Sequence, residues 1–159
     1  MRRRVRGLGG QRGALLIEVV IVLTIVTALT AIILVSIGVA QQKSRDTDRI
    51  TDLNSIRKAL SIYMDDRGTF PQGEGFLLGQ SNTRSLCENG WSHRCEGRPF
   101  MLHVPGGRAK AAGKCEISQD EYVYSQREDG RSYDILFCFE GDIGGYGGGI
   151  HTADPFGIR

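Results

Sequence analysis

The sequence predicts an α+β fold in which one long N-terminal helix, over about residues 14–67, packs on a small antiparallel β-sheet with extended loops. Three observations predict it. Val19 to Gln42 is a run of 24 residues without a charge. Beyond it Ile50, Leu53, Ile56, Leu60 and Tyr63 recur at helical steps of three or four. Near the C-terminus, Tyr122-Val123-Tyr124 and Tyr133-Asp134-Ile135-Leu136-Phe137-Cys138-Phe139 are rich in aromatic and β-branched residues, with the hairpin signal Asp129-Gly130 between them.

The uncharged run comes first. As a helix it extends about 36 Å at 1.5 Å per residue, enough to cross a hydrocarbon core of roughly 30 Å. Arg2, Arg3, Arg4, Arg6 and Arg12 precede it with no acid among residues 1–13, so the positive-inside rule places the N-terminus in the cytoplasm and residues 43–159 outside. The run is too long for a secretory signal peptide, whose apolar region spans about 7–15 residues; a plain signal anchor remains as the simple alternative. The formal net charge of +2 hides an asymmetry, because loss of residues 1–13 leaves 15 basic side chains against 18 acidic ones. Charge alone therefore does not imply a nucleic-acid partner. The residues beyond the span suffice for one small domain.

Glu18 stands at the head of the apolar run, in Arg12-Gly13-Ala14-Leu15-Leu16-Ile17-Glu18-Val19-Val20. An ionised carboxylate in a bilayer costs several kcal/mol unless it is paired, which makes Glu18 a functional-site candidate.

The helix continues as an amphipathic segment over 41–67, with Arg45, Asp46, Asp48, Arg49, Asp52, Arg57 and Lys58 predicted around its solvated faces. No proline falls between Ala14 and Pro71, Gly68 follows Arg67 as a stop, and Gly38 is a weak point. Two helices broken near Gln41 and Gln42 are the alternative. After Gly68, Pro71 prevents resumption and Phe70 is positioned to fold back on the apolar stripe. Residues 68–120 are predicted as loop, with one short turn around Phe76 to Leu78 and a candidate third strand near Phe100 to Val104. The hairpin covers 121–140, where Tyr133, Ile135, Phe137 and Phe139 share the face predicted to meet the helix. Six of the nine residues from Gly141 to Gly149 are glycine, so the glycine-rich C-terminal tail 141–159 is predicted to open as a flexible loop over 141–149.

Cys87, Cys95, Cys115 and Cys138 all lie on the predicted outer side, where disulfides form and persist. Four cysteines allow three pairings. Cys87 with Cys95 and Cys115 with Cys138 is favoured, since the first closes a short loop and the second ties the hairpin's return strand to the segment before it. Zinc is the competing reading through His93 and His103, but the cysteine spacings lack the close pairs of structural zinc sites.

A basic leader, Gly13, a small residue, three apolar residues, Glu18 and a long apolar run together resemble the N-terminus of type IV pilins and type II secretion pseudopilins. Gly68-Thr69-Phe70-Pro71 is similar to the segment that often follows the helix in that family, and the hairpin, glycine loop and His151-Thr152 tail resemble a subset of bacterial pilin-like proteins. The resemblance implies a pilin-like fold with a cytoplasmic leader at 1–13, a transmembrane and polymerisation helix at 14–40 and an extracytoplasmic domain at 41–159. It implies that a prepilin peptidase cuts between Gly13 and Ala14 and that the new amino group of Ala14 is methylated. The mature subunit would then leave the cytoplasmic membrane through pilus or secretion assembly machinery and form a homo-oligomeric filament on the extracytoplasmic side. The freed amino group of Ala14 and Glu18 of a neighbouring subunit are opposite charges in an apolar setting, so their pairing would set the axial stagger of assembly. A type II secretion pseudopilin, and a non-polymerising single-span protein with an extracytoplasmic binding domain, are the alternatives.

No cofactor is expected. Calcium is the exception to weigh, through Asp142, Asp154 and the glycine-loop carbonyls, as pseudopilins can bind it, although the spacing is not that of a known calcium loop. Gly106 to Cys115 imitates a phosphate loop, but Arg108 stands where its first glycine belongs and Cys115 where Ser or Thr should meet magnesium. The basic 94–114 loop, with Arg94, Arg98, Arg108, Lys110 and Lys114, can meet nucleic-acid phosphates while Trp91 or Phe100 stacks on bases; a solvated loop face is the simpler reading. His93, His103 and His151 sit in no catalytic motif, and an enzyme is not expected.

Overall fold

A computed structural model describes residues 9–107, 113–115 and 121–159, with the side chains of 9–14 and 32–36 outside the description. Leader residues 1–8, the side chains of Gly13 and Ala14, and Arg108 and Lys110 of the basic loop therefore lie outside the described residues. The fold is α+β, a helical region followed by antiparallel sheets. Helical geometry is assigned to Gly9–Arg67 (α1), and the chain divides within it into two compact units, Met1–Gln41 and Gln42–Arg159. Among the described residues no helix is long and apolar enough to cross a membrane; the predicted span includes Ile32 to Ser36, whose side chains are not among those described.

In the second unit, α1 presents Leu53, Ile56, Ala59, Leu60 and Tyr63 on one buried face. It stops at Arg67 because Gly68 takes a left-handed φ of 74°, which lets its amide donate to the Met64 carbonyl at 2.8 Å. The strands are β1 (Phe76–Leu77), β2 (Ser85–Cys87), β3 (Gly90–Ser92), β4 (Pro99–Met101), β5 (Val123–Arg127), β6 (Ser132–Phe139) and β7 (Gly149–Ala153). One antiparallel sheet runs β1-β5-β6-β7 and a second β3-β2-β4.

The β5–β6 hairpin is the framework. Its register pairs Tyr124 with Ile135 and Gln126 with Tyr133, and Asp129 and Gly130 turn it with φ of 53° and 90°. Tyr133, Ile135, Phe137 and Phe139 alternate onto the inner face and join the α1 stripe in one hydrophobic core. Each such fully buried large side chain contributes about 1.5–3 kcal/mol. Phe70 folds back as its place after Gly68 predicts, meeting Tyr133 edge-on with ring centroids 4.8 Å apart. The Tyr124 hydroxyl donates to the Pro71 carbonyl and the Gln126 amide to the Phe70 carbonyl, each at 2.6 Å.

Three expectations are corrected. Residues 68–120, predicted as loop, carry four strands, none longer than three residues and so too short to display alternation. The strand predicted near Phe100–Val104 is β4, which joins the second sheet through β2 rather than the hairpin. The glycine-rich tail is ordered in part: β7 pairs with β6 from Phe139–Gly149 to Ile135–Ala153. His151 draws it in, its ring 5.1 Å from that of Phe139 and its Nε2 2.6 Å from the Gly147 carbonyl oxygen.

Candidate functional site

Within the first unit, the described part of α1 is apolar on every face. Leu15, Leu16, Ile17, Val19, Val20, Ile21, Val22, Leu23, Ile25, Val26 and Leu29 are all between 51% and 68% exposed. Water strongly disfavours such a surface. Between Leu15 and Ala31 its polar side chains are of two kinds. The hydroxyls of Thr24, Thr27 and Thr30 donate to the carbonyls of Val20, Leu23 and Val26 at 2.7, 2.9 and 2.8 Å, and so need no outside partner. Glu18 is exposed, and no described residue bonds to it.

The second unit holds a cluster of charges whose identity, weighed above their helical position, predicts them on solvated faces. Asp46 and Arg49, predicted on solvated faces, are each 1% exposed, as is Glu140, the residue after β6. Arg45 Nε and Nη2 both donate to the Glu140 carboxylate, the shortest contact being 2.6 Å. Arg49 Nη1 donates to Glu140 Oε1 and to Asp46 Oδ1, both at 2.8 Å. Asp46 also accepts the backbone amides of Glu140 at 2.9 Å and Gly141 at 3.0 Å. Burial pushes the Glu140 carboxyl upward, but the hydrogen bonds from Arg45 and Arg49 prevail and hold it below the usual carboxylate range. The hydrogen bond to Glu140 in turn raises the Arg45 guanidinium. Two cations and two anions are thus mutually neutralised, with Asp46, Arg49 and Glu140 buried and Arg45 partly exposed. The α1 segment that follows the unit boundary is thereby locked in register to the far end of β6.

The same region is tied covalently. Cys115 and Cys138 form one disulfide and Cys87 and Cys95 the other, with Cα separations of 5.9 and 5.5 Å, and no free cysteine remains. This is the pairing the loop lengths favour. It removes the thiolates a zinc site would need, and the histidines are dispersed: His93 Nδ1 lies 2.9 Å from the Ser81 carbonyl oxygen, while His151 packs among Phe137, Phe139 and Tyr146.

Asp142 and Asp154 have separate employment. Asp142 accepts the Gly148 amide at 2.8 Å and meets Lys114 Nζ at 3.3 Å, and these contacts, the Gly148 amide first, hold its carboxyl below the usual range. Asp154 accepts the amides of Phe156 and Gly157 and pairs with Arg159. Among the described residues no group of three or more His, Cys, Asp or Glu could hold a metal ion.

The described part of the basic loop is not a continuous stripe. Arg98 pairs with Asp66 at 2.8 Å and lies over Phe100, whose ring meets Tyr63. Trp91 packs edge-on against Tyr124 with centroids 5.0 Å apart, so both aromatics that could have stacked on bases face the core.

Sequence reasoning missed the ion cluster, although a signal existed. Reading the stripe Tyr63, Leu60, Ile56, Leu53 backwards at the same steps reaches Arg49 and Asp46, which places both on the buried face. No protein-family model, curated protein or solved structure matches the chain.

Proposed function

We propose that this chain is the structural subunit of a type IV pilus-like filament. On this reading one continuous helix crosses the cytoplasmic membrane in its first half, with the N-terminus in the cytoplasm and residues beyond 43 outside. A prepilin peptidase removes residues 1–13, and Ala14 becomes the methylated N-terminus. The observation that carries the proposal is the all-round apolar exposure of α1 from Leu15 to Leu29 with one exposed acid, Glu18, among those residues. Such a surface requires lipid before assembly and other copies of the same helix after it. The back-bonded threonines suit either environment, because their hydroxyls ask nothing of the surroundings.

Glu18 supplies direction to that packing. The new amino group of Ala14 and Glu18 are separated by about one helical turn in one chain, whereas an axial stagger brings the acid of one subunit to the amino group of the next. The buried pair then selects a register, the best-attested use of a buried ion pair. The second unit, with its two disulfides and buried ion cluster, is built as a rigid body suited to the filament exterior.

The test is to express the full chain with a prepilin peptidase and assembly machinery, then determine the intact mass and the yield of sheared filaments. An N-terminus at Ala14 and filaments are expected, with Glu18→Ala processed normally but yielding at least tenfold less filament. A chain that keeps residues 1–13 and forms no filament would return the reading to a single-span protein. Normal yield from Glu18→Ala would end the pairing argument alone.

A further inference from the structure

The turn after β7 holds one large apolar side chain out from the described residues. Phe156 is 93% exposed, yet the turn that carries it is built firmly. The Asp154 amide donates to the Gly157 carbonyl at 2.8 Å. Asp154 Oδ1 accepts the amides of Phe156 and Gly157 at 2.8 and 2.9 Å, and Oδ2 meets Arg159 Nη2 at 2.8 Å. From α1, Arg57 Nε donates to the Asp154 carbonyl at 3.0 Å and its Nη2 to the Pro155 carbonyl at 3.3 Å. Thr152 and Arg159 exchange backbone hydrogen bonds at 2.9 Å in both directions. The aromatic knob is therefore preorganised, and burying it on a partner loses little conformational freedom.

Along the opposite edge of the same sheet lies a matching hollow. Strand β1 is one edge and β7 the other, about 14 Å apart at three strand spacings. Phe76 and Leu77 of β1, each 41% exposed, line a hollow of about 600 Å³ with Thr83 and Glu121. We propose that the occupant of this hollow is Phe156 of a second copy of this chain.

Charge favours that occupant. Arg159 is neutralised by Asp154, and two further cations flank the knob: Arg57, which holds its turn, and exposed Lys58, which lines the same groove as Pro155. The hollow carries one acid in its lining, Glu121, and no cation. The groove beside Pro155 offers the knob a reciprocal alternative, but Arg57 and Lys58 line it, so it would bring like charges together. Because knob and hollow occupy opposite edges, each copy gives with one and receives with the other. Such a contact is heterologous, and repeated it generates an open chain instead of a closed pair.

The inference rests on the filament reading for its setting, but its test separates the two. Phe156→Cys and Leu77→Cys are introduced together and singly in the full chain, assembled as above, and oxidised before electrophoresis without reductant. The doubly substituted chain should give a ladder of cross-linked multimers, while a mixture of the two single variants should stop at dimers. Phe156→Ala should reduce the yield of wild-type-like filaments at least fivefold with Trp91 fluorescence unchanged, since Phe156 supports nothing within its own fold. Filaments without a ladder would overturn the docking and leave the filament reading standing. A ladder without filaments would do the reverse. Dimers from Phe156→Cys alone, with no ladder from the double variant, would show the reciprocal arrangement and also overturn the proposal.

Discussion

Replacing Glu140 by Gln removes one negative charge from a site where two cations and two anions are balanced. Arg49, 1% exposed, would keep Asp46 as an anionic partner, and Asp46 already accepts two backbone amides. Arg45 is partly exposed, with 27% of its side-chain surface open, and can turn to water; Arg49 cannot. Breaking a buried pair by removing one partner costs about 3–5 kcal/mol, because the remaining charge stays desolvated. The substituted amide would keep the shape and accept one hydrogen bond, which places the expected loss near the lower end, about 3 kcal/mol. At roughly 4 °C per kcal/mol for a domain of this size, the thermal midpoint should fall by about 12 °C. The chain contains one tryptophan, and Trp91 packs against Tyr124 in the second unit, so its fluorescence during urea unfolding of the full chain in mild detergent reports on that unit. The midpoint should move to lower urea with an unchanged slope. Glu128→Gln is the control: Glu128 is exposed at the hairpin turn, and its substitution should stay within about 0.5 kcal/mol. If Glu140→Gln shifts stability no more than that control, the cluster is not the lock described above.

Two further outcomes follow from the same structure. Glu140 is held below the usual carboxylate range, so between its folded value and an unfolded value of about 4.3 the unfolded chain binds more protons. The stabilisation is therefore complete above about pH 5 and is lost as the pH falls through the folded value; urea midpoints measured from about pH 7 to about pH 3 should show this decline, and Glu140→Gln should flatten it. The Cys115–Cys138 bridge closes a sequence separation of 23 and Cys87–Cys95 one of 8. Loop-closure entropy alone then gives about 3.4 and about 2.6 kcal/mol, so the Cys115→Ser, Cys138→Ser pair should destabilise more than Cys87→Ser, Cys95→Ser by about 1 kcal/mol in the same unfolding assay.

Long periodic elements announced themselves and short or polar ones did not. Tyr133 to Phe139 alternates over seven residues, so its inner face could be read directly, and Asp129-Gly130 marked the turn before it. The α1 stripe from Leu53 to Tyr63 was equally plain. Strands β2, β3 and β4 each have three residues, fewer than two full periods, and their existence depends on partners brought together by the Cys87–Cys95 bridge and the turn at Gly90. Strand β7 begins at a glycine with φ of 124° and was hidden among residues that ordinarily signal loop. Asp46 and Arg49 were misplaced for a different reason: charge identity was weighed above position, although their spacing continues the buried stripe. Their burial depends on Glu140, and no local window contains both halves of that arrangement.

The distance along the chain between those halves also orders events during synthesis. Asp46 Oδ1 accepts the amide of a residue 94 positions later. Until Glu140 and β7 emerge, Arg49 and Asp46 lack Glu140, and the edge of β6 lacks β7. The earlier helix can form locally, but the second unit cannot close piecemeal behind the ribosome. Its folding is completed only when the residues from Glu140 onward can meet helix positions 94 residues earlier.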